Sequence, residues 1–415
     1  MTKLILIPHL GRGGAERVAV NLFKALGFDG FITFENLIDY PMPEEKVFCI
    51  NSPASQSLFK KFLNLPFRIY RIRKIKKKLK PNLTISLLEP ANLYNLLTKF
   101  PEERIFVSFR SNYTLDILNS PFWGQGLTKK VVVALYKLAF KLIYNKADVL
   151  VAASESVKWD MVKNYNIDPY KIKVIYNPIY FDEISLGVRE DLGEHCGIFS
   201  YPVLITVGRL TKAKGQWYLL RIFKALKCDF PDLKLVILGD GELKGYLVKL
   251  SEELNLRTYL WDRDELSSGF DVYFLGFHRN PFKFVSNSAL FLFPSLWEGL
   301  PNVLVEALAC GVPVISSDCR SGPREVLAPD TDFEYQTEVP EFADYGVLMP
   351  VFDGSFKGAS EPLDDKERMW VDVVKKLLLD EGLRKGYSQK GKERAKDFDI
   401  KVIAKKWQEI LGDYL

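Results

Sequence analysis

Apolar positions divide the first half of the chain into short hydrophobic runs separated by amphipathic segments. The hydrophobic runs predict strands at residues 4–8, 30–34, 46–50, 83–87, 105–109, 149–152 and 173–175. Helical periodicity lies between several of these runs, at residues 15–26, 66–80, 90–99, 128–145 and 155–165. Strands that alternate with helices in this way predict an α/β fold with a parallel, doubly wound sheet.

The same alternation starts again in the second half. It predicts strands at residues 203–207, 234–238, 271–275, 290–293, 312–316 and 346–349, with helices at 214–227, 242–254, 281–287, 301–310 and 321–327. Three more helices are predicted at residues 364–379, 381–395 and 400–413. An Asn177–Pro178 turn separates the halves, so we expect one domain over residues 1–178 and a second over 179–399.

The composition is that of an ordinary globular protein, with 47% hydrophobic and 26% charged residues among 415. No uncharged apolar run reaches the roughly 18 residues of a membrane-spanning helix. The short apolar run after Met1 is typical of a first strand and not of a signal peptide. Five irregularly spaced cysteines and three distant histidines predict neither a disulfide framework nor a metal site. Reduced thiols fit a cytoplasmic protein.

The net charge of +5 is unevenly distributed, because residues 46–88 contain no acidic residue. Lysines and arginines alternate there with apolar residues, and a second acid-free stretch of this kind covers residues 127–147. Basic amphipathic segments occur on anionic membrane surfaces, and also as core helices with a solvated basic face. The presence of two such segments in one half favours the membrane surface.

Two glutamates eight positions apart, Glu298 and Glu306, flank a predicted helix start. Pro301 suits the first helical position, and Gly311 suits the helix end. Backbone N–H groups at a helix start attract phosphate, and carboxylates accept hydrogen bonds from hydroxyls, so this arrangement suits a nucleotide sugar. The alternative is an ordinary strand–helix unit with two solvated glutamates.

Two strand–helix turns carry further candidates. Gly13 and Gly14 follow the first strand and allow close backbone approach to a phosphate or sugar, although a tight turn alone would also use glycine. The spacing is not the G-x-G-x-x-G of nicotinamide-binding proteins. Arg209 and Lys214 surround the first turn of the second half, where cations would neutralise a leaving diphosphate, unless they are simply solvated.

These segments together resemble the retaining glycosyltransferases of family 4, through GGAER, GRL followed by KG, SLWEGLPNVLVEALACGVPVISS and SDCRSGPREVL. The resemblance covers nearly the whole chain and is densest over residues 203–327. It implies the GT-B fold, in which two Rossmann-like, doubly wound domains face a cleft and a last helix, here within 400–415, returns to the N-terminal domain. It also implies that no metal or cofactor is used and that the donor is a UDP- or GDP-linked sugar.

The resemblance gives Arg209 and Lys214 the donor diphosphate, Glu298 the transferred sugar and Glu306 the ribose. It implies further donor contacts from the glycine loop, the base-side loops and the start of the Glu306 helix, which are Gly13, Gly14, Gly239, Phe277, Gly299, Leu300, Pro301 and Asn302.

Arg110 stands where many family members have a histidine that contacts the transferred sugar. Three interpretations are open: Arg110 acts as a cation near the sugar or phosphate, it binds an anionic group of the acceptor, or it forms an ordinary salt bridge. Glu89 and Asn92, after a neighbouring strand, are candidates for the acceptor side.

The resemblance implies a front-face mechanism in which the leaving phosphate oxygen helps to deprotonate the acceptor hydroxyl. With the basic first half, it predicts a lipid-linked or growing surface glycan as acceptor and a cytoplasmic enzyme on the inner face of the cell membrane. The alternatives are a GT-B nucleotide-sugar epimerase and a nucleic-acid-binding protein that uses residues 56–80. We expect no nucleic acid partner, because the aromatic residues there follow a helix face and not a stacking groove.

Overall fold

The computed structural model describes residues 1–11, 13–40, 42–52, 58–119, 133–134, 137–138 and 140–412, but not the side chains of 58–63 and 119. Part of the helix predicted over 128–145, namely 128–132, 135–136 and 139, therefore lies outside the described residues, and the described residues 133–134, 137–138 and 140–144 are helical.

The strands are β1 Lys3–Ile7, β2 Gly30–Thr33, β3 Val47–Cys49, β4 Leu83–Leu87, β5 Arg104–Phe109, β6 Val149–Ala152, β7 Ile172–Val174, β8 Val203–Val207, β9 Lys234–Leu238, β10 Thr258–Leu260, β11 Val272–Gly276, β12 Leu290–Phe293, β13 Val314–Ser317, β14 Glu341–Phe342 and β15 Val347–Met349. The principal helices are α1 Gly14–Leu26, α2 Leu58–Leu79, α3 Ala91–Leu97, α4 Tyr113–Asn119, α5 Glu155–Tyr165, α6 Phe181–Gly187, α7 Gln216–Leu226, α8 Lys244–Glu253, α9 Phe282–Ser286, α10 Asn302–Ala309, α11 Pro323–Leu327, α12 Asp365–Leu379, α13 Glu381–Ala395 and α14 Ile400–Leu411.

The chain forms two compact units. The first unit comprises Met1–Ile179 with Asp399–Leu415, and the second comprises Tyr180–Phe398. The predicted domain limits, at 178 and 399, lie within one residue of these boundaries.

The described residues of the first unit form a parallel sheet in the order β3-β2-β1-β4-β5-β6-β7. Strand β1 is buried on both faces, because Ile5 and Ile7 pack in a cluster that includes α1, whereas Leu4 and Leu6 pack in another that includes Ile72 of α2. Alternate residues of a strand point to opposite faces, so helices cover both sides and the doubly wound prediction is confirmed.

The last helix, α14, belongs to the first unit. Ile403, Trp407 and Leu411 recur every four residues on one face of this helix, and all three are buried in the cluster that contains β1 and α1. Helical spacing of this kind places the three side chains on one stripe. A parallel bridge between Ile179 and Asp399 lies where the chain enters the helix.

The second unit, whose residues are all described, contains the sheet order β10-β11-β9-β8-β12-β13-β15-β14. Its neighbouring strands are parallel, except that β14 runs antiparallel to β15. The short strands β10 and β14 are not predicted from the sequence, because two or three residues are too few to show a period of two. A second parallel, doubly wound unit is nevertheless what the pattern predicts.

Two predicted helix starts need correction. Pro66 lies inside α2, which begins at Leu58 rather than at 66. Pro301 precedes α10 in an extended conformation, with φ −77° and ψ 103°, so it is not the first helical residue. The predicted glycine stop of α10 is confirmed, because Gly311 follows the helix with φ +75° in the left-handed region that glycine favours.

Two cationic side chains of the basic helix α2 are buried inside the first unit. Lys76 is fully buried, and its ammonium lies 2.8 Å from the Glu103 carboxylate, which is also buried. Arg68 is buried as well, and it donates hydrogen bonds to the hydroxyl and the carbonyl of Ser52. Among the described helices, none has the length and apolarity that a bilayer crossing requires.

Candidate functional site

Backbone hydrogen bonds join the carboxyl ends of β8, β9 and β11. The Gly208 N–H donates to the Leu238 carbonyl at 2.9 Å, and the Gly239 N–H donates to the Gly276 carbonyl at 2.8 Å. A Cβ atom on Gly239 would lie 2.0 Å from the Gly208 carbonyl oxygen, and φ of Gly239 is +138°. Both facts require glycine, so this predicted base-side residue holds two strand-end turns together.

The turn after β8 places Arg209 and Lys214 at its two ends. The Arg209 side chain is exposed and forms no ion pair with any residue that the structure describes. The Lys214 side chain is only 18% exposed, and its ammonium lies 5.3 Å from the centre of the Phe293 ring at the end of β12. The Lys212 ammonium, in contrast, lies 5.9 Å from the centre of the Phe356 ring. The turn thus directs two neighbouring lysines to different surroundings.

Lys214 forms an ion pair with Glu298. The Lys214 ammonium donates a hydrogen bond to Oε1 of Glu298, and the glutamate side chain is 13% exposed. Strands β8 and β12 are neighbours in the sheet, so the turns that follow them meet. The sequence predicts both residues in one site but not this contact, because the two positions are 84 residues apart.

The backbone around Glu298 is fixed on two sides. The Leu296 N–H donates to the Ala213 carbonyl at 2.7 Å, which joins the loop to the turn that carries Lys214. The Glu298 N–H donates to the Arg320 carbonyl at 2.7 Å, and the Ser321 N–H donates to the Glu298 carbonyl at 3.0 Å. The Glu298 loop is therefore held between the loops that follow β8 and β13.

Residues 299–302 lead from this loop into α10. Gly322, before α11, packs against them, and a Cβ atom on Gly322 would lie 2.7 Å from Cδ of Pro301. Its φ of +97° also favours glycine. The sequence predicts that Gly322 opens a helix after its strand, but not that it packs against residues 299–302.

Glu306 lies on α10 and is buried, with 7% of its surface exposed. It lies about one helical turn beyond the helix start, slightly nearer than the turn and a half that a start at Pro301 predicts. The ordinary surface-glutamate interpretation is wrong for both members of the pair, because Glu306 is buried and Glu298 is paired and largely enclosed. The two carboxylates therefore flank the start of α10.

Two buried cysteines lie close to these carboxylates. Burial, and then the charge of Glu306, raise the pKa of the Cys310 thiol. Burial, and then the charge of Glu298, raise the pKa of the Cys319 thiol well above its usual value. Both thiols are therefore protonated near neutral pH and are poor nucleophiles.

Phe277 follows β11 and is 45% exposed. The preceding Gly276 has φ +71°, and a Cβ atom there would lie 2.9 Å from the indole of Trp261. The Lys244 ammonium stands 4.1 Å from the centre of the same indole ring. The contact of Phe277 with a nucleotide base stays a prediction.

The glycine loop of the first unit has an acidic neighbour. A Cβ atom on Gly13 would lie 2.0 Å from a carboxylate oxygen of Glu16, which is buried in the first turn of α1. Nδ1 of His9 lies 3.6 Å from the other Glu16 oxygen. The predicted approach of Gly13 and Gly14 to a donor stays a prediction, and a carboxylate here suits hydroxyl groups better than phosphate. The sequence signal for this carboxylate is Glu16, which follows the N-cap residue Gly13 by three positions.

Arg110 follows β5 and is buried, with 7% of its surface exposed. Its Nη1 donates to Oδ1 of Asn177 at 2.6 Å, whereas Nε and Nη2 are buried without a hydrogen-bond partner. No carboxylate in the described part of the chain forms an ion pair with it, so the described residues do not support the salt-bridge interpretation. Burial lowers the pKa of Arg110 to about 9.

Glu89 follows the neighbouring strand β4. Its Oε1 accepts a hydrogen bond from the Tyr144 hydroxyl. Burial of the carboxyl group raises the pKa of Glu89 to about 7, although hydrogen bonds from Tyr144, the Leu93 backbone and Asn92 act in the opposite direction. The residue as a whole is partly exposed, so the carboxyl group is the enclosed part. Glu89 and Arg110 therefore stand on adjacent strand ends without neutralising each other.

A search of the described residues finds no group of three or more His, Cys, Asp or Glu side chains placed to hold a metal ion.

Known families match both halves of the chain. The model of the glycosyl transferases group 1 matches residues 199–334, and the model of glycosyltransferase family 4 matches residues 12–183. An uncharacterised glycosyltransferase of Methanocaldococcus jannaschii is 35% identical over 401 residues, which are 94% of each chain. The N-acetylgalactosamine-N,N'-diacetylbacillosaminyl-diphospho-undecaprenol 4-alpha-N-acetylgalactosaminyltransferase of Campylobacter jejuni is 31% identical over 99% of this chain and 100% of its own.

Solved structures share the architecture. Anabaena HepE, crystallised with UDP, superposes with a TM-score of 0.69 at 16% identity over 99% of each chain. Sucrose-phosphate synthase of Thermosynechococcus elongatus superposes with a TM-score of 0.70 at 16% identity over 99% of this chain and 98% of its own. The relatives that match along the full length, the two family models and the two doubly wound units agree, and the chain belongs to the glycosyltransferases with the GT-B fold.

Proposed function

We propose that this protein is a retaining glycosyltransferase that moves a sugar from a UDP- or GDP-linked donor to a hydroxyl of a lipid-linked or growing glycan. The observation that carries the proposal is the contact of Lys214 with Glu298 at adjacent strand ends, with Arg209 exposed on the same turn. One carboxylate and two cations meet where α/β sheets bind ligands. Glycosyl transfer from a nucleotide donor needs these groups for the sugar and the diphosphate.

The ion pair gives the donor site a defined charge balance. Without a ligand, Glu298 neutralises Lys214. A bound diphosphate would compete for the Lys214 ammonium, and the exposed Arg209 would add a second positive charge. The Glu298 carboxylate would then be able to accept hydrogen bonds from hydroxyls of the transferred sugar. Glu306, on the other side of the α10 start, would hold the ribose.

The proposed reaction breaks the bond between the anomeric carbon and the diphosphate oxygen and forms the bond to the acceptor oxygen on the same face. The departing phosphate oxygen takes the proton of the acceptor hydroxyl, so no side chain has to act as the base. Negative charge builds up on the diphosphate in the transition state, and fixed cations stabilise it there. Arg209 and Lys214 supply this stabilisation, and no metal ion is required.

The acceptor is the part of the proposal that the relatives support. The Campylobacter jejuni relative is named for an acceptor on diphospho-undecaprenol, and another relative, 28% identical over 234 residues, is a Salmonella typhimurium lipopolysaccharide 1,6-galactosyltransferase. The basic helix α2 supports a protein bound to the inner face of the cell membrane, where lipid-linked glycans are assembled. We expect this localisation to be peripheral and cytoplasmic.

The test is hydrolysis of UDP- and GDP-linked sugars by the purified protein, followed by the release of UDP or GDP and by chromatography of the sugar. We expect slow hydrolysis of one donor, with the anomeric configuration retained and with full activity in EDTA. Inversion of the anomeric centre, or activity that EDTA abolishes and Mn²⁺ restores, would contradict the mechanism. An epimerised nucleotide sugar as the product would show that the protein is an epimerase instead.

A further inference from the structure

Arg110 is a buried cation that has no counter-ion among the residues that the structure describes. Nη1 bonds to the amide oxygen of Asn177, and Nε and Nη2 have no partner although both atoms are buried. The guanidinium carbon lies 5.9 Å from the centre of the Trp407 ring on α14, and Nε1 of Trp407 is also buried without a partner. Three N–H donors in one region of the first unit thus lack acceptors.

No anion in the described part of the chain supplies these acceptors. The obvious candidate is Glu89, because β4 and β5 are adjacent, but its carboxyl group is bonded to Tyr144 and Asn92. Among the described residues, the titratable group that favours the charged form of Arg110 is the Tyr113 phenol, and no carboxylate does so. The positive charge of Arg110 is therefore uncompensated in the described part of the chain.

Such an arrangement is costly. Removal of an ion from water is unfavourable in a protein interior, and each unsatisfied buried donor adds a further penalty. A bound anion with several oxygens would remove both penalties. The planar guanidinium offers parallel N–H groups that match a phosphate in a bidentate manner.

We propose that Arg110 binds a phosphate group of the glycosyl acceptor through Nε and Nη2, which makes it a specificity determinant for phosphate-linked acceptors. This inference rests on the proposed function. The second unit already provides Arg209 and Lys214 for the donor diphosphate, so a cation of the first unit is assigned to the other substrate. Both substrates carry phosphate groups, so the donor diphosphate is the other ligand that could bind to Arg110.

The binding test uses inorganic pyrophosphate and calorimetry, in a protein that carries Arg209→Ala and Lys214→Ala so that the donor cations are absent. We expect measurable binding that weakens at least 10-fold when Arg110→Gln is added. Unchanged binding after this addition would overturn the proposal. The measurement needs no turnover, so it remains informative if the proposed transferase activity is absent.

Thermal unfolding separates this role from a structural one. Since Arg110 is uncompensated, Arg110→Gln should unfold at the same temperature as the unaltered protein or at a higher one in phosphate-free buffer. A melting temperature several degrees lower, with unchanged pyrophosphate binding, would assign Arg110 to the fold and refute the proposal. Arg110→Lys keeps the positive charge but lacks the two parallel N–H groups of the guanidinium. It should therefore bind pyrophosphate more strongly than Arg110→Gln but less strongly than the protein with Arg110.

Acceptor kinetics identify the source of the phosphate. The probes are a monosaccharide on farnesyl diphosphate and the same monosaccharide as an uncharged alkyl glycoside. We expect the unaltered enzyme to prefer the diphosphate-linked probe at least 10-fold in kcat/KM and Arg110→Gln to lose that preference. A larger rise in the KM for the nucleotide sugar than for the acceptor would instead place the donor diphosphate on Arg110 and overturn the acceptor assignment.

Discussion

Individual residues determine the charge of the proposed donor site, and Lys214 and Glu298 illustrate how. Both side chains are largely enclosed, so neither charge would be stable there alone. Arg209 is exposed and needs no partner, because water stabilises its charge. The two cations of this turn therefore differ. Lys214 is held in an ion pair, whereas Arg209 is exposed and can bind an anion without breaking an ion pair.

Loss of either cation should slow the reaction. We expect Arg209→Ala and Lys214→Ala each to lower kcat/KM by roughly 100-fold or more, because each removes a stabiliser of the departing diphosphate. Lys212→Ala is the matched control, since its ammonium lies over Phe356 on the same turn and should have little effect. Near-normal kinetics in both test variants would disprove the assignment of the diphosphate to this turn.

Lys214→Ala should also affect stability, unlike Arg209→Ala. It leaves the enclosed Glu298 carboxylate unpaired, and the expected cost is about 1–3 kcal/mol in the free energy of unfolding. Glu298→Gln in the same protein should recover part of that loss, because it removes the unpaired charge. Chemical denaturation of the two single variants and the double variant measures the coupling.

Glu89 predicts a specific pH dependence of stability. Its pKa of about 7 in the folded protein exceeds the ordinary value of 4.5, so the folded state holds a proton that the unfolded state has lost between these values. The contribution of Glu89 therefore falls as the pH rises from about 4.5 to 7, by up to about 3 kcal/mol at 1.36 kcal/mol per pKa unit. We expect Glu89→Gln to remove this slope, whereas Glu102→Gln, at an exposed position, should retain it. Identical profiles for Glu89→Gln and the unaltered protein would contradict the prediction.

Among the elements, helix α2 shows how one sequence pattern serves two purposes. Arg68 and Lys76 face the first unit, where Lys76 pairs with Glu103 and donates to the amide oxygen of Asn95 at 2.8 Å. Burial lowers the pKa of Lys76 to about 8, although Glu103 opposes this shift. The core-helix and membrane-surface interpretations therefore apply to different faces of the same helix.

The outer face of α2 keeps the features of a membrane-binding helix. Phe67 and Tyr70 are 41% and 64% exposed, and Arg71 lies over the Phe67 ring at 5.0 Å. The exposed Lys74 follows on the same face, at helical spacing from Tyr70 and Arg71, and Lys77 and Lys78 are exposed one turn later. Aromatic side chains next to cations suit the interface of an anionic bilayer.

Charge reversal on this face should release the protein from membranes. Each cation near an anionic surface contributes about 1 kcal/mol, so Lys74→Glu, Lys77→Glu and Lys78→Glu together should abolish co-sedimentation with anionic liposomes at low salt. Donor hydrolysis should be unchanged. A control with Lys24→Glu, Lys390→Glu and Lys405→Glu changes the net charge equally on other helices and should still bind. Absence of binding by the unaltered protein would contradict the membrane localisation.

Lys76 has to be excluded from such a set. Lys76→Glu would bring two carboxylates together in the buried pair with Glu103, and removal of one partner of a buried pair alone costs about 3–5 kcal/mol. Reversal of all four neighbouring lysines would therefore confuse loss of folding with loss of membrane binding. The basic run of the sequence does not distinguish Lys76, because its burial depends on a glutamate in a different part of the chain.

At the scale of the whole molecule, the sequence predicts the architecture better than the contacts of the site. Strands such as β4, β6, β8, β9 and β12 agree with the apolar runs, because two buried faces leave a continuous hydrophobic signal. The contact of Lys214 with Glu298 and the missing partner of Arg110 are not predictable in the same way. They depend on which strand ends become neighbours, and local periodicity does not encode strand order.

The assignment of the donor to the second unit predicts which residues a bound nucleotide will protect from hydrogen exchange. Saturation with UDP or GDP at 100 times its Kd should stabilise the protein by about 2.7 kcal/mol. Hydrogen exchange should slow most in the loops after β8, β9, β11 and β12, at residues 208–215, 239–243, 276–280 and 298–306. Strongest protection around Arg110 would contradict the assignment of the donor to the second unit. Equal effects of inorganic phosphate and UDP would show that the nucleoside is not recognised.

The return of the last helix to the first unit also affects the order in which the protein folds during synthesis. Domains usually fold from the N-terminus as the ribosome releases them. Here the first unit lacks Ile403, Trp407 and Leu411 of its core until the last helix has been made, whereas Tyr180–Phe398 are contiguous. We therefore expect the second unit to reach its native state first, while the apolar surface on β1 and α1 stays exposed until α14 has been made. A nascent chain that stops at Phe398 would thus present a folded second unit and a first unit whose apolar surface on β1 and α1 is still exposed.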